Sequence, residues 1–227
     1  MSQIKLTARD GHSFDAWAAR PSSTPVAGVV VIQEIFGVNP HVRSVADRYA
    51  DEGYLAVAPA LFDRVERDVE LAYNDADRTR GFGLKNDTGN DSPLLEVAAC
   101  VAWLRAQGVR KVGVVGYCWG GLLTWLSACR VDGVDAAVPY YGGGMPDFAK
   151  EHAKCPVLAH FADQDMWIPA EGIEAFKAAQ ADADPPVAVH LYHAHHGFNR
   201  DGSAVYEPNA AALARERTLD FFRAHLT

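Results

Sequence analysis

The 227-residue sequence predicts an α/β protein, a mainly parallel central sheet with helices on both faces. Three features of the chain point this way. Strand-like and helix-like segments alternate throughout, with no repeat, low-complexity tract or linker, so residues 1–227 read as a single domain. Several strand segments, GVVVIQE at 28–34 and KVGVVGY at 111–117 among them, are nearly continuous β-branched runs, the mark of strands buried on both faces. The helical segments between them are about 10–15 residues long, enough for right-handed crossovers between parallel neighbours.

Taken in order, QIKLTA and HSFDAWAA alternate with period two and meet near Asp10-Gly11, a hairpin signal. After the GVVVIQE strand, Asn39-Pro40 supplies a helix cap and a first-turn proline. Val42, Val45, Ala46, Tyr49 and Ala50 then mark one face of a helix that Gly53 stops. YLAVAPAL is the next buried strand. Residues 62–92 are charged and without a clean period, and are expected to hold a short helix and a mobile loop. Ser92-Pro93 signals another capped start, for a helix to about Gln107. KVGVVGY is followed by the apolar helix GGLLTWLSAC. VDAAVPYYG, CPVLAHFAD and PVAVHLYHA are three further strands. A helix from near Pro169 separates the last two, and a final helix covers about 208–225.

Hydrophobic residues make up 49% of the chain and charged residues 22%, with a net charge of −8. An acidic balance of this size argues against nucleic acid or an anionic membrane as partner, because both recruit a basic face. No apolar run approaches the length of a membrane span. The N-terminal segment lacks the basic-then-apolar order of a signal peptide, so a cytoplasmic location is expected. The four cysteines form no CxxC pair and no metal-like spacing. Cys100, Cys129 and Cys155 read as small buried hydrophobes, whereas Cys118 stands apart.

Gly116-Tyr117-Cys118-Trp119-Gly120-Gly121 lies between a β-run and an apolar helix, giving G-x-C-x-G at a strand-to-helix turn. This is the nucleophile-elbow pattern of the α/β-hydrolase fold, with sulfur in place of oxygen. Such a turn lifts the side chain out of the sheet. A helix N-terminus favours the thiolate, and the backbone N–H of Trp119 can hold a developing oxyanion. A thiol nucleophile needs a base, and the fold predicts the order nucleophile, acid, histidine. VLAHFADQDMWIP offers Asp163 and Asp165; VAVHLYHAHHGFN offers His193, His195 and His196. His193 reads as part of a polar turn, and Gly197 suits a loop presenting His196 inward. Glu34 closes a strand buried on both sides, so its carboxyl must be paired, hydrogen-bonded or protonated. The N–H of Ile35 is expected to be the second oxyanion donor.

QEIFGVN at 33–39, GYLAVAPALF at 53–62, KVGVVGYCWGG at 111–121, DMWIP at 165–169 and HGFNR at 196–200 resemble the dienelactone hydrolases (carboxymethylenebutenolidases) nearly end to end. The resemblance implies that Cys118 is the nucleophile and that Glu34 is its resting partner, a carboxyl raised by burial until it competes with the thiol for one proton. It implies Asp165 as the triad acid and His196 as the base. It further implies a cofactor-free opening of an enol lactone through a thioester, to a keto-acid such as maleylacetate. The substrate would be a small ester or lactone carrying a carboxylate, held by Arg200 and by one of Arg78 and Arg80.

His195, Asp163 and Trp119 depart from the family's usual residues, which bears on the substrate more than on the mechanism. A broad-specificity carboxylesterase or thioesterase with the same triad is the nearer alternative. A metal-binding or redox-sensing protein using the Asp163, Asp165, His193, His195 and His196 cluster is the remoter one.

Overall fold

A computed structural model describes residues 1–227. Strands β1 (Ser2–Thr7) and β2 (Ser13–Ala19) form the antiparallel hairpin, with Thr7 opposite Ser13. The chain continues through β3 (Gly28–Ile32), α1 (Pro40–Asp51), β4 (Leu55–Pro59), α2 (Asp75–Thr88), α3 (Pro93–Ala106), β5 (Val112–Tyr117) and α4 (Trp119–Arg130). It closes with β6 (Ala136–Tyr140), β7 (Val157–Ala162), α5 (Ala170–Ala179), β8 (Val187–Tyr192) and α6 (Pro208–Leu226). The strands make one eight-stranded sheet in the order β1-β2-β4-β3-β5-β6-β7-β8. Pairings involving β2 are antiparallel and the rest are parallel.

Hydrophobic pattern explains placement. Every residue of β3 through β7 is buried, as their continuous apolar runs require, while the edge strands β1 and β8 alternate with exposed positions. Helices α1 and α6 meet through Tyr49 and Phe222 on one face. Helices α3, α4 and α5 cover the other, α3 packing on α4 and Trp125 of α4 meeting Phe176 of α5. Asn39 caps α1 as its sequence predicts, its side chain accepting from Val42 N–H at 3.2 Å.

Residues 62–92 differ from expectation. In place of a short helix and a mobile loop, they hold a 3-10 turn (Leu61–Arg64) and the 14-residue helix α2, capped by Asn74. Its apolar periodicity is weak because its buried positions are Gly81, Leu84 and Thr88, only one of them a large apolar side chain. Sterics require the glycine. A Cβ on Gly81 would lie 2.1 Å from the Ile35 carbonyl oxygen, so only glycine lets α2 rest on that loop. Ser92 also departs from its predicted cap. It is itself helical, and its hydroxyl donates to Thr88 C=O at 2.8 Å, closing the end of α2 instead of opening α3.

Candidate active site

The parallel strands end together at one edge of the sheet, and the loops leaving β3, β5, β7 and β8 converge there, where ligands collect in such sheets. Cys118 follows β5 with φ 56 and ψ −117, a left-handed conformation rarely adopted by a residue with a side chain. Two glycines make the turn feasible. A Cβ on Gly116 would lie 2.2 Å from Gly120 C=O, and one on Gly120 would lie 2.4 Å from Gln33 C=O. The elbow therefore presses directly on the end of β3 and the loop that carries Ile35. Neither the Trp119 N–H nor the Ile35 N–H donates to a protein acceptor, so both are available to an incoming oxygen.

That loop is held by Gln33, whose buried amide accepts from Leu61 N–H at 3.1 Å and donates to Glu34 C=O at 3.2 Å. The β3 strand ends at Ile32, so Glu34 lies in the turn beyond it. Its buried carboxylate forms a two-pronged pair with Arg200, from Nε to Oε2 and from Nη2 to Oε1, both 2.8 Å. The guanidinium lies over both Phe36 and Tyr73, 4.9 and 5.1 Å from the two ring centres. This corrects the sequence expectation for both residues. Burial pushes the Glu34 carboxyl up, but the charge and hydrogen bonds of Arg200 outweigh it and hold the group below its ordinary range. Glu34 is thus ionised and rests on Arg200, not on the Cys118 thiol. Arg200 is engaged by a protein carboxylate, although it also lines the cavity. Removing one member of a buried pair like this costs about 3–5 kcal/mol.

The loops after β7 and β8 supply the acids and histidines. Asp165, its side chain fully buried, accepts from Trp167 and Ile168 N–H through Oδ1 at 2.8 and 3.2 Å. Its Oδ2 lies 2.7 Å from Nδ1 of His196, leaving Nε2 for a hydrogen bond with Cys118. Asp163 and His193 form a second pair at 3.0 Å, but it faces solvent. His195 turns Nδ1 to Gln164 C=O at 3.1 Å and borders the cavity mouth. The five residues are therefore divided among separate partners, and no three of them converge as ligands of a metal.

His196 is strongly perturbed. Burial draws its proton affinity down, but the Cys118 sulfur in its thiolate form and the Asp165 carboxylate outweigh this and move it up to about 10. A neighbouring thiolate and an imidazolium stabilise one another in this geometry. Because folding raises the affinity, the stabilising contribution of His196 is complete below the ordinary value of 6.5 and is lost as pH rises through about 10. In Cys118→Ala, the His196 ring loses the largest raising influence while burial remains. Its NMR titration midpoint is expected to fall, and an unchanged midpoint would place that influence elsewhere.

The cavity above these groups has a volume of about 1010 Å³. Ile35, Phe82, Trp119, Phe148 and Trp167 form much of its wall, and Phe82 and Trp167 pack against each other at 5.7 Å. Trp119 is buried against Phe62 with its indole N–H on Asn90, so its extra bulk braces the wall rather than blocking the elbow. The structure separates the two arginines left open by sequence. Arg78 borders the cavity and makes only an exposed pair with Asp75, whereas Arg80 pairs with Glu66 on the outer surface. Arg80 is thereby removed from the substrate-binding set. Sequence reasoning missed the roles of Phe36 and Tyr73 around Arg200 and of Phe82 on α2. The Arg78-to-Phe82 spacing of four residues is the one signal in the sequence, and the weak periodicity of α2 obscures it.

The sequence model of the dienelactone hydrolase family matches residues 14–226. Carboxymethylenebutenolidases of Pseudomonas putida and Pseudomonas knackmussii are each 37% identical over 224 residues, covering 96% of this chain and 94% of theirs. A solved Klebsiella pneumoniae structure provisionally assigned as a dienelactone hydrolase superposes with a TM-score of 0.84 at 28% identity, covering 99% of this chain and 100% of that one. The Pyrococcus furiosus esterase Pf2001 shares the fold alone, with a TM-score of 0.75 at 15% identity, covering 100% of this chain and 93% of that one.

Proposed function

The chain belongs to the dienelactone hydrolase family, a family of hydrolases acting on ester and lactone bonds, and from that premise we propose that it opens an enol lactone bearing a carboxylate, using Cys118, His196 and Asp165. The observation carrying this reading is the chain of contacts from buried Asp165 through His196 to Cys118 at the elbow.

The lactone carbonyl oxygen lies between the N–H groups of Ile35 and Trp119, and the Cys118 thiolate adds to the carbonyl carbon. The resulting tetrahedral intermediate expels the ring oxygen as an enolate, which takes the proton of the His196 imidazolium and becomes a ketone, leaving the imidazole neutral. The acyl group is then a thioester on sulfur. His196 then removes a proton from water, the hydroxide adds to the thioester, and the sulfur leaves as a thiolate that takes its proton back from Glu34 once product has left Arg200. The products are one keto-acid per lactone, and no redox partner is consumed.

Glu34 and Arg200 couple binding to this chemistry. A substrate carboxylate drawn to Arg200 takes the guanidinium from Glu34. Burial then acts on Glu34 against only the lesser charges of His41 and His196, and raises its affinity for a proton, which the Cys118 thiol supplies. The thiolate forms when substrate is present.

One observation favours a second reading, a carboxylesterase or thioesterase using the same three residues. The cavity stands at the upper end of the usual range for small-molecule sites, roughly 300–1,000 Å³, and its wall is largely apolar. Arg78 separates the two readings without breaking a buried pair. Steady-state rates on cis- and trans-dienelactone and on p-nitrophenyl acetate, for wild type and Arg78→Gln, make the test. The lactone reading predicts a KM for dienelactone about tenfold higher in the variant, with the neutral ester unaffected. Equal behaviour towards all three esters would favour the broad esterase.

A further inference from the structure

Of the three residues other than glycine with positive φ, two stand side by side at the active edge of the sheet: Cys118 at 56° and Tyr141 at 35°. In the β5–β6 ladder Tyr117 is paired with Tyr140, so Cys118 and Tyr141 are the next neighbours in register. Backbone hydrogen bonds pin both, Cys118 N–H to Tyr140 C=O at 3.0 Å and Tyr141 N–H to His160 C=O at 2.7 Å. Tyr141 is fully buried, and its hydroxyl has no hydrogen-bond partner. His196 and Phe198 wall in its ring at 5.1 and 5.2 Å, so the phenol cannot turn out to solvent.

A buried hydroxyl without a partner is unfavourable, and phenylalanine would fill the same space without that penalty. An unpaired donor on a strained backbone beside a reactive side chain marks a group whose acceptor arises during the reaction. The titratable and charged groups around it are Glu34 after β3, Tyr117 on β5, Cys118 at the elbow, and His196 and Arg200 after β8. Arg200 and the protonated His196 are donors, and the charge of Glu34 is already neutralised by Arg200 in the two-pronged pair. Cys118 is the group that gains a strong acceptor, when its thiol becomes a thiolate.

Resting on the reading of Cys118 as nucleophile, we propose that the Tyr141 hydroxyl is a hydrogen-bond donor held in reserve for the Cys118 thiolate, steadying it beside His196. The proton stays on the phenol, and no covalent bond forms or breaks at Tyr141. Burial first, and then the nearby charge of Glu34, keep that proton bound well beyond the ordinary range of a tyrosine.

The test is the pH profile of iodoacetamide alkylation at Cys118, read by peptide mass, in wild type and Tyr141→Phe. Removing the donor is expected to move the alkylation midpoint up by about one pH unit and to lower kcat about tenfold, with the melting temperature unchanged or higher. A midpoint and kcat within twofold of wild type would overturn the proposal. Should Tyr141→Phe fail to fold, 3-fluorotyrosine at position 141 keeps the ring and strengthens the donor. It is expected to move the midpoint down, and an unmoved midpoint would equally overturn the proposal. Alkylation needs no substrate, so these outcomes stay separate from the enzyme reading, which fails if wild type hydrolyses none of the lactones or esters.

Discussion

Cys118→Ala is expected to lose turnover of dienelactone by about 10⁴-fold or more while remaining folded. The variant keeps the cavity, the N–H groups of Ile35 and Trp119, and the His196–Asp165 pair, so whatever rate survives reports binding and oxyanion stabilisation alone. Alkylation of the wild-type enzyme should have the same effect with one equivalent of iodoacetamide. The other three thiols do not compete, because all are buried. Burial pushes Cys129 and Cys155 up to about 12, and Cys100 well above its ordinary value. Reactivity follows the thiolate, so labelling is confined to Cys118. A Cys118→Ala enzyme retaining a tenth of the wild-type rate would remove sulfur from the mechanism.

Asp165→Asn should cost about 10⁴-fold in kcat, for a different reason. Oδ1 of Asp165 accepts two backbone N–H groups, so an asparagine must place its amide oxygen there. Its NH2 then faces Nδ1 of His196, where the carboxylate oxygen now lies at 2.7 Å. Two donors cannot share that bond, so Nδ1 becomes the acceptor and the ring carries its proton on Nε2. The nitrogen facing Cys118 can then no longer receive one. The variant should also lose part of the upward shift of His196, since the Asp165 hydrogen bond and charge contribute to it. Rates at neutral pH with thermal melts as a folding control make the comparison. A loss below tenfold in a folded variant would mean that Asp165 merely braces its loop.

Much of the architecture can be read from the chain because it follows from burial. GVVVI and VGVVGY are apolar at every position, and both strands are covered on both faces. The elbow is legible for a steric reason, since Gly116 and Gly120 are the only residues that fit against the backbone they meet. Helix α2 is not legible. Gly81 answers to a contact with Ile35, distant in sequence, and takes a side chain from the buried face that would announce a helix. The Glu34–Arg200 pair is hidden for a similar reason. Both residues stand out as candidates, but 166 positions separate them and nothing local shows that each neutralises the other. In sequence Tyr141 is only the end of a strand; its strain and its unpaired hydroxyl exist only in three dimensions.

Acid quench of the wild-type enzyme during its first turnover of dienelactone, followed by mass analysis of the peptide containing Cys118, tests the covalent step directly. Ring opening by sulfur expels nothing from the molecule, so the predicted peptide is heavier by the whole mass of the lactone, and the adduct disappears on hydrolysis. Product formed at full rate with no adduct on Cys118 at any quench time would contradict the thioester mechanism.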